Sequence, residues 1–306
     1  MNLLKSCLVF ICLVSITTLG CAQDREAIPI NCDRIVTVLP VQVGTITIPN
    51  MLLDTGFSYD GIIIYNPAYR DSLDLSGAIS VQIGGAGNGQ GQPALMLDSA
   101  GFRVGNTSME KQRIILLQSN LAKEWPTSGV IGYSLLGHYA VEINYDSKVM
   151  LLHEFGQIRP DESWRAIPIY FKENQIPWIE AGISTEGEEP VVIQLYIDCA
   201  ARENIELLEK PMMNIRLPRE TTNSYLGTGL SGDIYGKRGR ISRFILGPYQ
   251  IDSLDVSIAQ ADVRSKQPGA DAIVGSGLLS RFNVIFDYQN KKLYLKPNSR
   301  YTPPTR

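Results

Sequence analysis

The sequence is poor in the residues that many enzymes use for proton transfer and metal binding. Among 306 residues there are only two histidines, His138 and His153. No His/Cys/Asp cluster has the spacing of metal ligands, so neither a metal nor any other cofactor is implied. Gly132-Tyr133-Ser134-Leu135-Leu136-Gly137 approaches a nucleophile elbow, but its glycine spacing is wrong, and a serine hydrolase is not expected. Basic residues are not in excess either: 28 Lys and Arg against 31 Asp and Glu give a net charge of -3. That argues against nucleic acid as a partner. Beyond the first 21 residues no apolar run is long enough for a transmembrane helix.

The first 21 residues read as an export segment rather than as part of the fold. Lys5 precedes an apolar stretch from Cys7 to Ile16, which is short for a bilayer and is followed by small residues. Thr18-Leu19-Gly20-Cys21 resembles the lipobox of bacterial lipoproteins, in which the Cys is lipidated, although Thr18 stands where an aliphatic residue is usual. The expectation is an exported protein anchored to a bacterial membrane through Cys21, on its periplasmic or cell-surface side. An ordinary cleaved signal with a coincidental Cys is the alternative, and it too exports the chain. Of the five cysteines, Cys7 and Cys12 leave with the signal, and Cys32 and Cys199 remain beside Cys21. A Cys32–Cys199 bridge would suit an oxidising compartment, but two separate thiols are the favoured reading.

What is abundant is apolar and glycine-rich: 44% hydrophobic residues and 27 glycines suit a strand-rich globular chain. Met51-Leu52-Leu53-Asp54-Thr55-Gly56-Phe57-Ser58 reads as a buried strand that ends on a carboxylate and a tight turn, with Gly56 as the permissive residue. A degraded copy, Val191-Val192-Ile193-Gln194-Leu195-Tyr196-Ile197-Asp198-Cys199-Ala200, follows 144 positions later. Downstream the repeat is clearer. Gly129-Val130-Ile131-Gly132-Tyr133-Ser134-Leu135-Leu136 overlays Ala272-Ile273-Val274-Gly275-Ser276-Gly277-Leu278-Leu279 without a gap, and both run into a closing hairpin. His138 falls where the other copy has Arg281, which favours a surface or packing role. Two similar units in one chain follow.

These residues resemble the aspartic peptidases, and in particular the bacterial retropepsin-like proteins that carry two halves in one chain. The resemblance spans roughly residues 33 to 297 and implies an all-β fold of two similar acid-protease-like β-barrel halves. A pseudo-dyad would relate them, with short helices after the apolar-apolar-Gly segments. The expected organisation is a signal with lipobox at 1–21, an N-terminal half at 22–155, a linker at 156–163, a C-terminal half at 164–297 and a tail at 298–306. Asp54 and Asp198 would be the catalytic pair, and Thr55, Gly56, Ser58, Cys199 and Ala200 would support their loops. In the family the glycine-rich stretch some thirty residues after each Asp is a hairpin flap over the substrate. Here those are Gly84–Gly91 and Gly227–Gly232. The second matches G-x-G-x-x-G, but glycines and no helical period follow it, so a dinucleotide site is rejected. Lys237, Arg238, Arg240 and Arg243 read as the solvated face of a hairpin. Gln118 to Trp125 is expected to form a short helix stopped by Pro126.

The chemistry implied is hydrolysis of a peptide or protein substrate by a monomer. Two adjacent carboxyl groups share a proton, one activates a water, and the other hydrogen-bonds the substrate carbonyl. The second loop departs from the family pattern at Cys199, Ala200 and Arg202, where Thr, Gly and Ser or Thr are expected. Cys199 would make the link between the loops lopsided, since a thiol is a weak donor and acceptor. Arg202, if it reached Asp198, would hold that carboxylate ionised. These departures keep a second expectation open: a pseudo-peptidase that binds a peptide or protein without cutting it.

Overall fold

The computed structural model describes residues 26–33, 36–211, 213, 215–260, 263 and 269–303. The expected export segment, with Cys21, lies outside the described residues. Alternating apolar residues build the first hairpin, β2 (Val38–Val43) and β3 (Ile46–Leu53), after the short β1 (Ile28–Pro29). Leu39, Val41 and Val43 face inward from β2, and Ile48, Met51 and Leu53 from β3. The register slips between Leu39 and Val41, at Pro40, which has no N–H to give the ladder. β4 (Gly61–Ile64) is buried along its whole length, as its unbroken Ile62-Ile63-Ile64 run requires. β5 (Ile79–Ile83), β6 (Gln92–Val104), β7 (Thr107–Leu117) and β8 (Gly129–Ile131) complete a seven-stranded sheet. Its order is β2-β3-β8-β4-β7-β6-β5, and β2 also pairs with β6, curling the sheet towards a barrel.

The second half repeats this order position by position. Its strands are β12 (Trp178–Ser184), β13 (Val191–Asp198), β14 (Ile205–Glu209), β15 (Thr222–Gly229), β16 (Gly232–Leu246), β17 (Tyr249–Gln260) and β18 (Ala272–Gly275). They run β12-β13-β18-β14-β17-β16-β15, with the same closing pair, β12 on β16. The apolar-apolar-Gly segments do the same work in both halves. Each lies parallel to the strand that leads into the Asp turn, Leu53 opposite Ile131 and Asp198 opposite Gly275. Each then turns directly into a four-residue helix, α1 (Tyr133–Leu136) or α2 (Ser276–Leu279).

A third sheet is built from both halves. β9 (Ala140–Asn144) and β10 (Val149–His153) pair with each other, as do β19 (Phe282–Asp287) and β20 (Lys292–Pro297). β9 pairs with β19, Val284 against Ile143, and β11 (Arg165–Pro168) pairs with β20 at one edge. Phe282, Phe286, Val284 and Leu293 bury this platform against the main core. Residues 118–125 form turns rather than the expected helix. Leu121 is exposed while Ala122 is buried, so the segment has no apolar stripe to hold a helix against the core. No helix follows Gly232, which opens β16.

Candidate active site

The two Asp-bearing turns meet at the centre of the molecule, and their backbones are tied together by side chains. The Thr55 hydroxyl donates to the Ile197 carbonyl (2.7 Å) and accepts from the Cys199 amide (3.0 Å). The Cys199 thiol returns both bonds: it donates to the Leu53 carbonyl (3.1 Å) and accepts from the Thr55 amide (3.3 Å). The lock is therefore matched bond for bond, contrary to the lopsided link expected from the residue types. A thiol suffices because it stays protonated. Burial pushes the Cys199 pKa far up, and the nearby Asp54 and Asp198 carboxylates add to that. Cys32 and Cys199 are both buried, free thiols. Cys199→Ala should cost about 2–3 kcal/mol in urea unfolding, since it strands a buried amide and a buried carbonyl, whereas Cys199→Thr should stay within about 1 kcal/mol. Equal stability of the Ala and Thr variants would mean the lock holds nothing.

Both carboxyl groups lie at the floor of one cleft. One Asp54 oxygen accepts from the Gly56 amide (2.6 Å), and one Asp198 oxygen accepts from the Ala200 and Ala201 amides (3.0 Å each). The place a Cβ on Gly56 would occupy is 3.0 Å from Asp54 Oδ1 and 3.7 Å from Asp198 Oδ2. Glycine leaves space here beside the Asp54 carboxyl oxygen, against which a Cβ would press; its φ is not in the left-handed region, contrary to the expectation of a permissive turn residue. Ala200, at the matching position, likewise avoids that region, so its methyl group is tolerated. Tyr65 is buried beside the pair. Burial, then the Asp54 and Asp198 charges, push its phenol far above the ordinary range, and it remains neutral.

The cleft has a volume of about 1200 Å³. One wall is apolar, with Phe57, Ile63, Tyr65, Trp125 and Val130. Ser58 lines the cleft four residues after Asp54, and Arg202 lines it four residues after Asp198. The roof is made by the two glycine-rich hairpin tips, β5–β6 and β15–β16, which bond to each other. Ser231 N donates to Ala86 O (3.0 Å), Gly89 N to Ser231 O (2.5 Å), and Gly85 N to the Ser231 hydroxyl (3.2 Å). The sequence pattern marks both tips, Ser231 within the second, but not the bonds between them, because nothing in it says that two segments so far apart will meet.

One expectation about charge changes with the structure and another gains detail. Arg202 is exposed and makes no ion pair with Asp198. The four basic residues of β16 are all exposed, as expected of the solvated face of a hairpin, and three of them form ion pairs there. Arg240 and Arg243 pair with Asp255 and Asp252 across β16–β17, but Arg238 grips Glu203 through two bonds, of 2.7 and 2.9 Å. Since Glu203 follows Asp198 closely and Arg238 also donates to Ser224, this pair fastens the second hairpin to the second Asp loop.

No protein-family model matches the chain, and no curated protein matches it. Among solved structures it is similar to the aspartic proteinase from Irpex lacteus, with a TM-score of 0.55 and 14% sequence identity over 90% of this chain and 98% of that one. The chain has the two-lobed aspartic-proteinase fold. At so low an identity the likeness carries the fold alone. In that fold's terms, the floor of the cleft is the seam between the two lobes, and the hairpin tips close it from above.

Proposed function

We propose that the chain is an exported, retropepsin-like aspartic endopeptidase of bacterial origin, anchored through Cys21, which hydrolyses peptide bonds with Asp54 and Asp198 as the catalytic pair. The observation that carries this reading is the pair of carboxyl groups flanking Gly56 at the floor of a peptide-sized cleft. The mechanism needs one carboxylate and one carboxylic acid. The carboxylate takes a proton from a water as its oxygen attacks the substrate carbonyl, and the acid hydrogen-bonds the carbonyl oxygen as negative charge develops there. Collapse of the tetrahedral species breaks the C–N bond, and a proton passes from the pair to the leaving amine. The lock fixes where the two carboxyl groups stand, so little reorganisation accompanies each step. By residue type alone, the departures at Cys199, Ala200 and Arg202 argue for a module that binds without cutting. With the lock matched and Arg202 turned to the cleft, they no longer favour that reading.

One fractionation experiment tests both parts. Cells producing the wild-type chain should carry, in their membrane fraction, an activity that cuts unfolded protein between about pH 3 and pH 7 and is blocked by a transition-state mimic of the aspartic class. Cys21→Ser should move that activity to the soluble fraction. Mimic-sensitive activity that is soluble in the wild type removes the anchor; no such activity in any fraction removes the endopeptidase.

A further inference from the structure

Apart from the Asp54–Asp198 pair, the charged side chains of the described cleft lining are ion-paired in all but one case. Besides Asp54 and Asp198, the described lining carries Asp60, Arg113, Arg202, Glu203 and Arg238. Asp60 faces His138 at 2.8 Å, Arg113 pairs with Asp98 at 3.2 Å, and Glu203 holds Arg238 at 2.7 Å. Among the described residues, Arg202 has no carboxylate within 4 Å; its side chain is exposed at the cleft wall. Its backbone, by contrast, is firmly placed. It belongs to the turn whose amides bond the Asp198 carboxyl group, and its carbonyl packs against Gly277 at the start of α2.

Position sets which side of the substrate this guanidinium meets. The pseudo-dyad that relates the Asp loops relates Ser58 to Arg202, each four residues beyond its Asp. A peptide lying across the pair therefore presents one flank to the wall of Phe57, Ile63, Tyr65, Trp125 and Val130, and the other flank to Arg202. The floor between them carries carboxyl groups, which repel an acidic side chain unless a cation offsets them. A guanidinium offers a planar fork of donors that fits a carboxylate and cannot be neutralised by deprotonation.

We infer that Arg202 is a specificity-determining residue that recruits a substrate carboxylate beside the scissile bond, on the flank opposite the apolar wall. The carboxylate comes from an Asp or Glu side chain or from a chain end that falls there. The inference rests on the peptide-cleaving reading for its substrate class, but its signature is a ratio that can be measured without cleavage.

The test uses peptides that differ only as Glu, Gln or Lys at the positions flanking the cut, each with a free or amidated C-terminus. The wild type should favour Glu over Gln by about tenfold in kcat/KM at one flank, the gain expected of a charge-assisted hydrogen bond. Arg202→Ser should bring that ratio to one or below, and Arg202→Glu should favour Lys instead. A preference that follows the free C-terminus rather than the side chain assigns the carboxylate to the chain end. Arg202 is exposed, so neither substitution opens a cavity. In parallel, binding of the same peptides to Asp54→Asn should give the same Glu-over-Gln ratio in Kd. Equal cleavage of Glu and Gln peptides, or a preference that survives Arg202→Ser, overturns the inference and leaves the endopeptidase standing. Absence of all cleavage with a preserved Glu preference in binding does the reverse, and absence of both preferences overturns the role of Arg202 whatever the chemistry.

Discussion

Asp54→Asn and Asp198→Asn should each lower the cleavage of an unfolded protein by about 10³-fold or more, while leaving thermal unfolding almost unchanged. The first half of that expectation follows from the division of labour between the two groups. An amide can neither accept the proton of the attacking water nor donate one to the leaving amine, so neutralising either member removes a proton transfer that the other cannot supply alone. The second half follows from the bonds each carboxyl group makes. Asp54 presents one oxygen to the Gly56 amide, and Asp198 presents one oxygen to the Ala200 and Ala201 amides. An Asn side chain keeps that inward oxygen and turns its NH2 to the cleft. The Thr55–Cys199 lock involves neither carboxyl group and is untouched. Loss of rate with retained stability therefore isolates the chemistry. Cleavage that survives either substitution, at any pH, removes the dyad.

Much of the fold is legible in the sequence because the chain repeats itself. Two strands that end on Asp, two apolar-apolar-Gly segments at the same offset and two glycine-rich stretches are enough to expect two halves, and each occupies the matching place in its sheet. Features carried by a single local pattern fare worse. Residues 118–125 end before a proline, but a stop signal without an apolar stripe does not make a helix. The residue type of Cys199 speaks only of donor strength in isolation. Its effect depends on a buried geometry in which sulfur's reach closes the same two bonds as a hydroxyl, and no spacing encodes that. Arg238 and Arg240 look alike in the sequence, yet Arg240 lies opposite Asp255 on the neighbouring strand and Arg238 folds back to Glu203 beside the cleft. Pairings of this kind are set by how the hairpin curls over the Asp loop, which is a property of the closed sheet rather than of any stretch within it.

The glycines at the end of the apolar-apolar-Gly segments make a severe demand on the sequence, and their replacement should have a large effect on stability. A Cβ at Gly132 would land on the carbonyl oxygens of Asp54 and Phe57, and one at Gly275 on the carbonyls of Glu203 and Ala201. None of these atoms is free to withdraw. Phe57 O accepts from Tyr133 N (3.0 Å) and Asp54 O from Phe57 N (3.2 Å), while Ala201 O and Glu203 O accept from Ser276 N (2.7 Å) and Gly277 N (3.1 Å). Relief of the clash must therefore break the bonds that tie each Asp loop to the helix start behind it. Gly132→Ala and Gly275→Ala should each destabilise by about 3 kcal/mol or more, and the Val variants should fail to fold. Gly182 in β12 provides the contrast. A Cβ there meets Ile245 at an ordinary 3.4 Å, so Gly182→Ala should stay within about 1 kcal/mol and gain something from a less flexible unfolded chain. Urea unfolding of the three Ala variants checks the ranking. Because the same clash displaces Asp54 or Asp198, activity of the first two should fall even at temperatures where they remain folded. Gly132→Ala with wild-type stability would mean that the segment does not press on the Asp loop at all.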